Sequence, residues 1–384
     1  MDKTIYFDNA ATTFPKPEDV YIALNDSNRD FAVNAGRGSY KLAKEASAII
    51  DITRVKISKL FNFSKEDHVI FSPSATIALN QIIGGLDFGG HKNVYVTPFE
   101  HNAVMRPLSH VNESKDINIL EIPFDFQTLE LNINQLKVDF SINYPDYVFL
   151  SHVSNVTGLI LPISEIINLA KEYGAVVILD CCQSAGLIPI DLKNIAADFF
   201  VFAGHKTLYG PFGIGGFIYN SNIELKKYIT GGTGSDSLNL DMPNSYPAKY
   251  EAASPNITAI AGLNAALNWI NKTDIENIKL KEQKLTKYLI EGLKTIKGIK
   301  LYLPGDLQQH TSIVSCNFPN YSPDEIGMIL DEDFNIAVRT GFHCAPKIHN
   351  LLGTRVLGGT VRFSVGYFNE IEHIEYLIKR LREI

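Results

Sequence analysis

Two apolar runs in this chain end in charge. Val176-Val177-Ile178-Leu179 stops at Asp180, and Val201-Phe202-Ala203-Gly204 leads straight into His205 and Lys206. A carboxylate at the end of a buried run is costly unless a cation or hydrogen bonds meet it. A lysine stripped of water has a lowered pKa and becomes a nucleophilic amine. Taken singly, Asp180 reads as well as a helix cap or half of an internal salt bridge, and Lys206 as a surface charge. Taken together, an acid ending one candidate strand and an amine ending the next form a rarer pair. Three other polar segments follow apolar runs. Ser74-Ala75-Thr76 opens a helical pattern, where free N–H groups suit an anion as well as an ordinary N-cap. Glu100-His101-Asn102 supplies a histidine that alone reads as a structural hydrogen-bonder. Ser154-Asn155-Val156-Thr157-Gly158 alone reads as a turn with an asparagine.

The acid–amine pair matches the needs of pyridoxal phosphate (PLP), an acid at the ring nitrogen and an amine for the aldehyde. The elements that must position it are short β-rich runs alternating with helical patterns. Strands are expected at His68–Ser72, Asn93–Thr97, Ile117–Ile122, Tyr147–His152, Ala175–Asp180, Asp198–Ala203 and Gly213–Tyr219. Helices are expected at Thr76–Gly84 and Ile163–Tyr173, and over Thr258–Lys297 with a break near Asn271. This alternation predicts an α/β fold with a largely parallel sheet. In such sheets ligands sit beyond the carboxyl ends of the strands, where the polar segments fall. Gly231–Pro255 reads as an irregular excursion. The remainder, with a strand at Ser312–Phe318 and a final helix at Asn369–Arg382, reads as a smaller α+β domain. The expected division is an N-terminal arm over 1–15, a large domain over 16–257 and a small C-terminal domain over 258–384.

Composition sets the outer bounds. The 384 residues exceed the ~100–200 usual for one domain. A net charge of −7 without a dense Lys/Arg run argues against nucleic-acid binding. No apolar stretch reaches the ~20 residues of a membrane span, and the N-terminus has no signal-peptide core. Cys181, Cys182, Cys316 and Cys344 are too few and scattered for a disulfide framework, so a reducing cytoplasm is expected. No metal site is expected.

From Tyr6-Phe7-Asp8-Asn9-Ala10-Ala11-Thr12-Thr13 to Arg362, the chain resembles the fold-type-I PLP enzymes of aminotransferase class V. Asp180–Gln183 and Gly204–Gly210 carry the likeness to the class. Arg339-Thr340-Gly341-Phe342-His343-Cys344-Ala345 carries it to the cysteine desulfurase branch, nearest the SufS-like and selenocysteine-lyase-like enzymes. The resemblance implies that Lys206 holds the cofactor covalently, Asp180 pairs with the ring nitrogen and Gln183 bonds the ring hydroxyl. It implies that His101 stacks on the ring and moves protons, and that Asn155 serves the ring hydroxyl and the substrate carboxylate. Thr76, the backbone of Ala75, and His205 would bind phosphate. Arg362 would clamp the substrate carboxylate, with Arg339 beside it. Members are homodimers, so Thr233 would reach the partner subunit's phosphate. The chain departs from the family at Ala203, where many members have serine, at Ser74, where glycine is usual, and at Cys181 and Cys182, where small residues are usual.

The implied reaction takes sulfur from L-cysteine, with selenocysteine as a second candidate. Cys344 would attack the substrate sulfur as a thiolate, keep it as a persulfide for an acceptor protein, and release L-alanine. His343 and Arg339 are candidates to lower the Cys344 pKa, and Gly341 and Gly353 to let its loop move. A free cysteine in a loop is otherwise a small packing residue, and Cys181, Cys182 and Cys316 are read that way. The competing expectations are another class-V reaction (transamination, epimerisation or β-elimination) and a non-enzymatic sulfur-relay or scaffold subunit without the cofactor.

Overall fold

The structure is a computed structural model that describes residues 4–35, 38, 40–234 and 238–384. Its strands are β1 (Ile5–Tyr6), β2 (Val69–Ser72), β3 (Lys92–Val96), β4 (Ile117–Glu121), β5 (Tyr147–Ser151), β6 (Val176–Asp180) and β7 (Phe199–Ala203). They continue with β8 (Gly215–Tyr219), β9 (Lys300–Tyr302), β10 (Ile313–Asn317), β11 (Ile336–Ala337), β12 (Arg339–Gly341) and β13 (Thr360–Ser364). Strands β2 to β8 are the seven expected from sequence, each within a residue or two of its expected ends. They form one sheet in the order β2-β8-β7-β6-β5-β3-β4. β8 runs antiparallel to both neighbours, and every other pairing between β3 and β7 is parallel.

The all-apolar runs are explained by burial on both faces. Successive side chains alternate between two cores: Val177, Leu179, Phe200 and Phe202 enter one, and Val176, Ile178, Phe199 and Val201 the other. Each fully buried aliphatic side chain stabilises by about 1.5–3 kcal/mol, so this register resists slipping. Helices Ala75–Gly85 and Asn102–Asn112 cover one face. Helices Ile163–Glu172 and Ile257–Thr273, with Glu18–Asp30 and Lys41–Leu60, cover the other. The last two were not assigned from sequence. Their signals are Pro17 before Glu18-Asp19 in a first turn, and buried Ala43, Ala46, Ile50 and Ile57 at helical spacing.

Among the described residues no helix or strand lies between Tyr219 and Ile257, as the Gly/Ser/Asn/Pro content of that segment suggested. The long helical region beyond it breaks at Asp274, which has φ +74° and caps the next helix, Ile275–Leu293. That helix and Ile371–Leu381 pack on a four-stranded antiparallel sheet, β12-β13-β10-β9, to make a third core. The N-terminal segment is stitched to this part. β1 pairs with β11, Phe7 is fully buried in the third core, and the Asn9 amide donates to the Ser364 carbonyl.

The chain runs from β3 out to β4, then returns to place β5 on the other side of β3. This is the topological switch point at which open α/β sheets bind ligands. His101 follows β3 and Asn155 follows β5.

Candidate active site

Beyond the carboxyl ends of β3, β5, β6 and β7 lies a cavity of about 230 Å³. Ala75, Thr76, His101, Asn155, Asp180, Gln183, His205, Lys206, Arg339, Cys344 and Arg362 all line it. Of the site residues expected from sequence, only Thr233 does not line it; its expected role lies in a partner subunit's cavity.

Lys206 is carried by a tight turn off β7. Gly210 N–H donates to the Gly204 carbonyl at 2.7 Å, and Tyr209 N–H to the Lys206 carbonyl at 2.8 Å. Gly204 is required here, since a Cβ would lie 2.8 Å from the Ile214 carbonyl oxygen. Asp180 ends the neighbouring strand, and its Oδ1 accepts the Cys182 N–H at 2.9 Å. Amine and carboxylate are thus fixed by adjacent paired strands, with Asp180 opposite Val201 in the register.

The start of helix Ala75–Gly85 supplies free N–H groups to the same cavity. Ser74 acts as an ordinary N-cap, accepting the Ile77 N–H at 3.2 Å, while Ala75 and Thr76 remain on the cavity wall. Gly215 keeps this corner open: a Cβ there would sit 2.8 Å from the Ala75 nitrogen. The His205 ring stacks on Phe212 with centroids 4.6 Å apart, and its buried Nδ1 has no partner. Burial, then the charges of Lys206 and Lys16, push its pKa down to about 3, so the imidazole is neutral.

His101 caps helix Asn102–Asn112 with its ring, Nδ1 accepting the Ala103 N–H at 3.0 Å. Nδ1 therefore carries no proton and the neutral ring is protonated at Nε2. Burial and then the Lys206 charge lower its pKa to about 4. The Gln183 amide donates to the Ala10 carbonyl at 2.8 Å, joining the N-terminal arm to the cavity wall.

At the opposite end Arg362, 2% exposed, donates from Nη1 to the Asn155 carbonyl at 2.9 Å and from Nη2 to Asp8 Oδ1 at 2.6 Å. Its buried Nε is left without a partner. Arg339 reaches the other Asp8 oxygen at 3.9 Å. A buried guanidinium with an unused N–H suits a carboxylate ligand.

Cys344 lies on the loop after β12 and is exposed. His343 and Cys344 both take left-handed conformations, φ +47° and +57°, after Gly341 at φ +90°. Two bonds from the large sheet's switch point hold them. The Asn155 amide donates to the His343 carbonyl at 2.7 Å, and Asn102 N–H to the Cys344 carbonyl at 2.7 Å. The expectation that His343 could lend Cys344 a positive charge is corrected. Burial and the nearby Arg362 charge hold its pKa well below the usual value, and its Nε2 is paired with the Thr360 hydroxyl at 2.8 Å. It shapes the loop as a neutral ring.

Cys181 and Cys182 are buried and enter opposite cores, and burial pushes both thiols well up. Cys316 is buried inside β10, where burial likewise raises its pKa. Sequence reasoning gave no role to three residues at this site. Asp8 was quoted only within a motif. Glu100, fully buried, accepts bonds from Thr97 Oγ1 and from the Ser151 N–H and hydroxyl; burial raises its pKa to about 7. Lys16, lowered to about 7 by burial, donates to the His205 carbonyl and the Thr13 hydroxyl, both at 2.7 Å. A lysine between two prolines and just before a helix gives no sequence signal for such a contact.

With this geometry in view, the chain belongs to the aminotransferase class-V family, whose profile matches residues 5–377. Its similar curated relatives are cysteine desulfurases. A probable cysteine desulfurase of Methanothermobacter thermautotrophicus is 32% identical over 99% of this chain and 94% of its own length. The cysteine desulfurase of Wigglesworthia glossinidia brevipalpis is 32% identical over 99% and 92%. Among solved structures, the apo cysteine desulfurase of Thermococcus onnurineus NA1 superposes with a TM-score of 0.92 at 30% identity, covering 99% of this chain and 94% of its own. The cysteine desulfurase CsdA of Escherichia coli superposes with a TM-score of 0.88 at 25% identity, covering 99% and 95%. The family's cofactor is PLP. The cavity fits it through the open Ala75 N–H, the orphaned His205 Nδ1 and the Asp180–Lys206 pair.

Proposed function

We propose that this chain is a cysteine desulfurase in which Cys344 takes sulfur from L-cysteine bound beside Lys206. The observation that carries the reading is the loop geometry. A reactive-type thiol from the small sheet is held by Asn155 and Asn102 over the cavity that contains Lys206, Asp180 and Arg362.

Asp180 would hold the ring nitrogen, Lys206 the aldehyde carbon, Gln183 the ring hydroxyl, and Ala75, Thr76 and His205 the phosphate. When bound, PLP supplies an electron sink for bonds broken next to the substrate nitrogen. Arg362 binds the substrate carboxylate through its unused Nε–H and a neighbouring Nη–H, with Asn155 and Arg339 alongside. Lys206 Nζ would take the α-proton and return it to the same carbon after the sulfur has left. His101, neutral and protonated at Nε2, lines the same cavity and would pass a proton without adding charge. The Cys344 thiolate attacks the substrate sulfur. An S–S bond forms, the Cβ–S bond breaks, and its electron pair leaves on Cβ, which takes a proton to give L-alanine. The enzyme retains Cys344 as a persulfide. Selenocysteine, with a weaker bond to the same carbon, is a second substrate on this reading.

The test is product analysis with L-cysteine and reductant. Wild type should give alanine and sulfide in equal amounts. Cys344→Ala should lose at least about a hundredfold in rate while keeping the visible absorbance of the bound cofactor. Full turnover by Cys344→Ala would sink the thiol mechanism.

The same proposal covers the setting. The protein acts in the cytoplasm as a homodimer, with Thr233 directed to the partner subunit's phosphate, and passes sulfur to an acceptor protein at exposed Cys344. Fully exposed Leu238 and Leu240, in the excursion that carries Thr233, support association. No helix among the described residues is long and apolar enough to cross a membrane. The division into 1–15, 16–257 and 258–384 is part of this proposal. Helix Ile257–Thr273 is the bridge: it packs on the large core before Asp274 turns the chain toward the third.

A further inference from the structure

Glu100 is a fully buried carboxylate with no part in the chemistry proposed so far. It is not on the cavity wall, but one of its donors is. Oε1 accepts the Thr97 hydroxyl at 2.6 Å and the Ser151 N–H at 2.7 Å, and Oε2 accepts the Ser151 hydroxyl at 3.0 Å. Ser151 ends β5 and lines the cavity. Its register partner on β6 is Asp180. Partners on neighbouring strands point to the same face of a sheet, and two residues earlier Phe149 and Ile178 enter the same core. Ser151 and Asp180 therefore stand side by side at the cavity.

A serine hydroxyl has one proton to donate. Here that proton goes to Glu100, so the Ser151 oxygen has only lone pairs left for the cavity. Asp180 Oδ1 accepts the Cys182 N–H, and no other N–H or O–H among the described residues donates to this carboxylate. An added hydroxyl bond would stabilise the carboxylate, lower its basicity and weaken its hold on a protonated ring nitrogen.

We propose that Glu100 is a positioning residue for the cofactor's acid: by taking the Ser151 proton it keeps that hydroxyl off Asp180 and leaves the carboxylate to the ring nitrogen. This deepens the desulfurase reading and rests on Asp180 as the partner of that nitrogen.

The same wiring responds to pH. Two donors already occupy Oε1, so a proton on Glu100 goes to Oε2 and is donated to Ser151, whose own proton then turns toward Asp180. Burial raises the Glu100 pKa to about 7, against the bonds from Thr97 and Ser151 and helped by the charge of Asp180 facing it from β6. Its chain neighbour His101 is kept neutral by burial, with a pKa of about 4. Protonated Glu100 thus acts as Glu100→Gln would.

The test measures cofactor affinity, by dialysing the holoenzyme against graded PLP and releasing the bound cofactor in alkali. At pH 8.5 Glu100→Gln, an isosteric change, should bind PLP about tenfold more weakly than wild type. Adding Ser151→Ala to Glu100→Gln should recover most of that loss, because no hydroxyl is left to turn. A loosened fold, or the lost charge alone, predicts no recovery. Wild type should itself weaken about fivefold relative to Ser151→Ala between pH 8.5 and pH 6, a comparison that stands even where Glu100→Gln does not fold. An unchanged affinity in Glu100→Gln, a double variant no tighter than the single one, or a ratio of wild type to Ser151→Ala that is constant with pH overturns the proposal. Affinity is read without turnover, so an enzyme that binds PLP but releases no sulfide from cysteine would sink the desulfurase reading while leaving this comparison intact.

Discussion

The two ends of the cavity are built in opposite ways. The Asp180–Lys206 end grows from the middle of the large sheet. β6 and β7 are buried on both faces, and their side chains belong to two continuous cores. The Cys344 end hangs on a short loop from the edge strand of the small sheet. Two successive non-glycine residues there take left-handed conformations, each at a cost of about 1–2 kcal/mol. Two hydrogen bonds from the large sheet's switch point offset that cost. The difference matches the two proposed tasks. A cofactor must be gripped at fixed atoms, whereas a thiol that collects sulfur and hands it on must be held lightly enough to move.

Breaking the rigid end should have the largest effect. Lys206→Ala should lose the covalent cofactor and lower cysteine turnover by about a thousandfold or more, read as loss of the visible band together with alanine release. The same substitution should leave the rate of Cys344 alkylation within about twofold, since the loop does not depend on that amine.

A subtler strike at the rigid end uses Glu282. This fully buried carboxyl accepts the Tyr209 hydroxyl at 2.7 Å, three residues beyond Lys206, and burial raises its pKa to about 7. A carboxyl whose folded pKa lies above its unfolded value of about 4.5 binds its proton more tightly when folded. Its contribution is complete below about pH 4.5 and is lost as pH rises toward 7. Relative to Glu282→Gln, wild type should lose about 2–3 kcal/mol across that window, measured by denaturant unfolding at each pH. A pH-independent difference would remove the buried-carboxyl account.

The smallest effect should come from the light end. Asn155→Ala removes the bond to the His343 carbonyl, worth about 1 kcal/mol, so alkylation of Cys344 should speed up about fivefold. An unchanged rate would show that the loop is held by something other than this asparagine.

The large sheet was legible because its signal is local. A strand buried on both faces must be apolar at every position, and β6 and β7 are apolar almost throughout. Lys206 and Asp180 were legible because they interrupt that rule. Helix Glu18–Asp30 was not, because it is mostly exposed and buries only Val20 and Ser27, leaving a faint stripe. Cys344 was legible only through the motif around it, since a lone loop cysteine carries no periodic signal. The idea that His343 charges the thiol failed because adjacency in sequence says nothing about burial, and burial keeps that ring neutral.

By itself, then, the sequence determined the alternation of strands and helices, the two charged strand ends and the polar segments that follow the strands. Only the tertiary structure decided that Asp8 would meet Arg362 across 354 positions and that Asn155 would hold the carbonyl of His343 across 188. Those contacts depend on two sheets docking and on an N-terminal arm threading between them. Hydrophobic patterning specifies which face of an element is buried, but the identity of the partner across the gap follows only from how the buried faces are assembled.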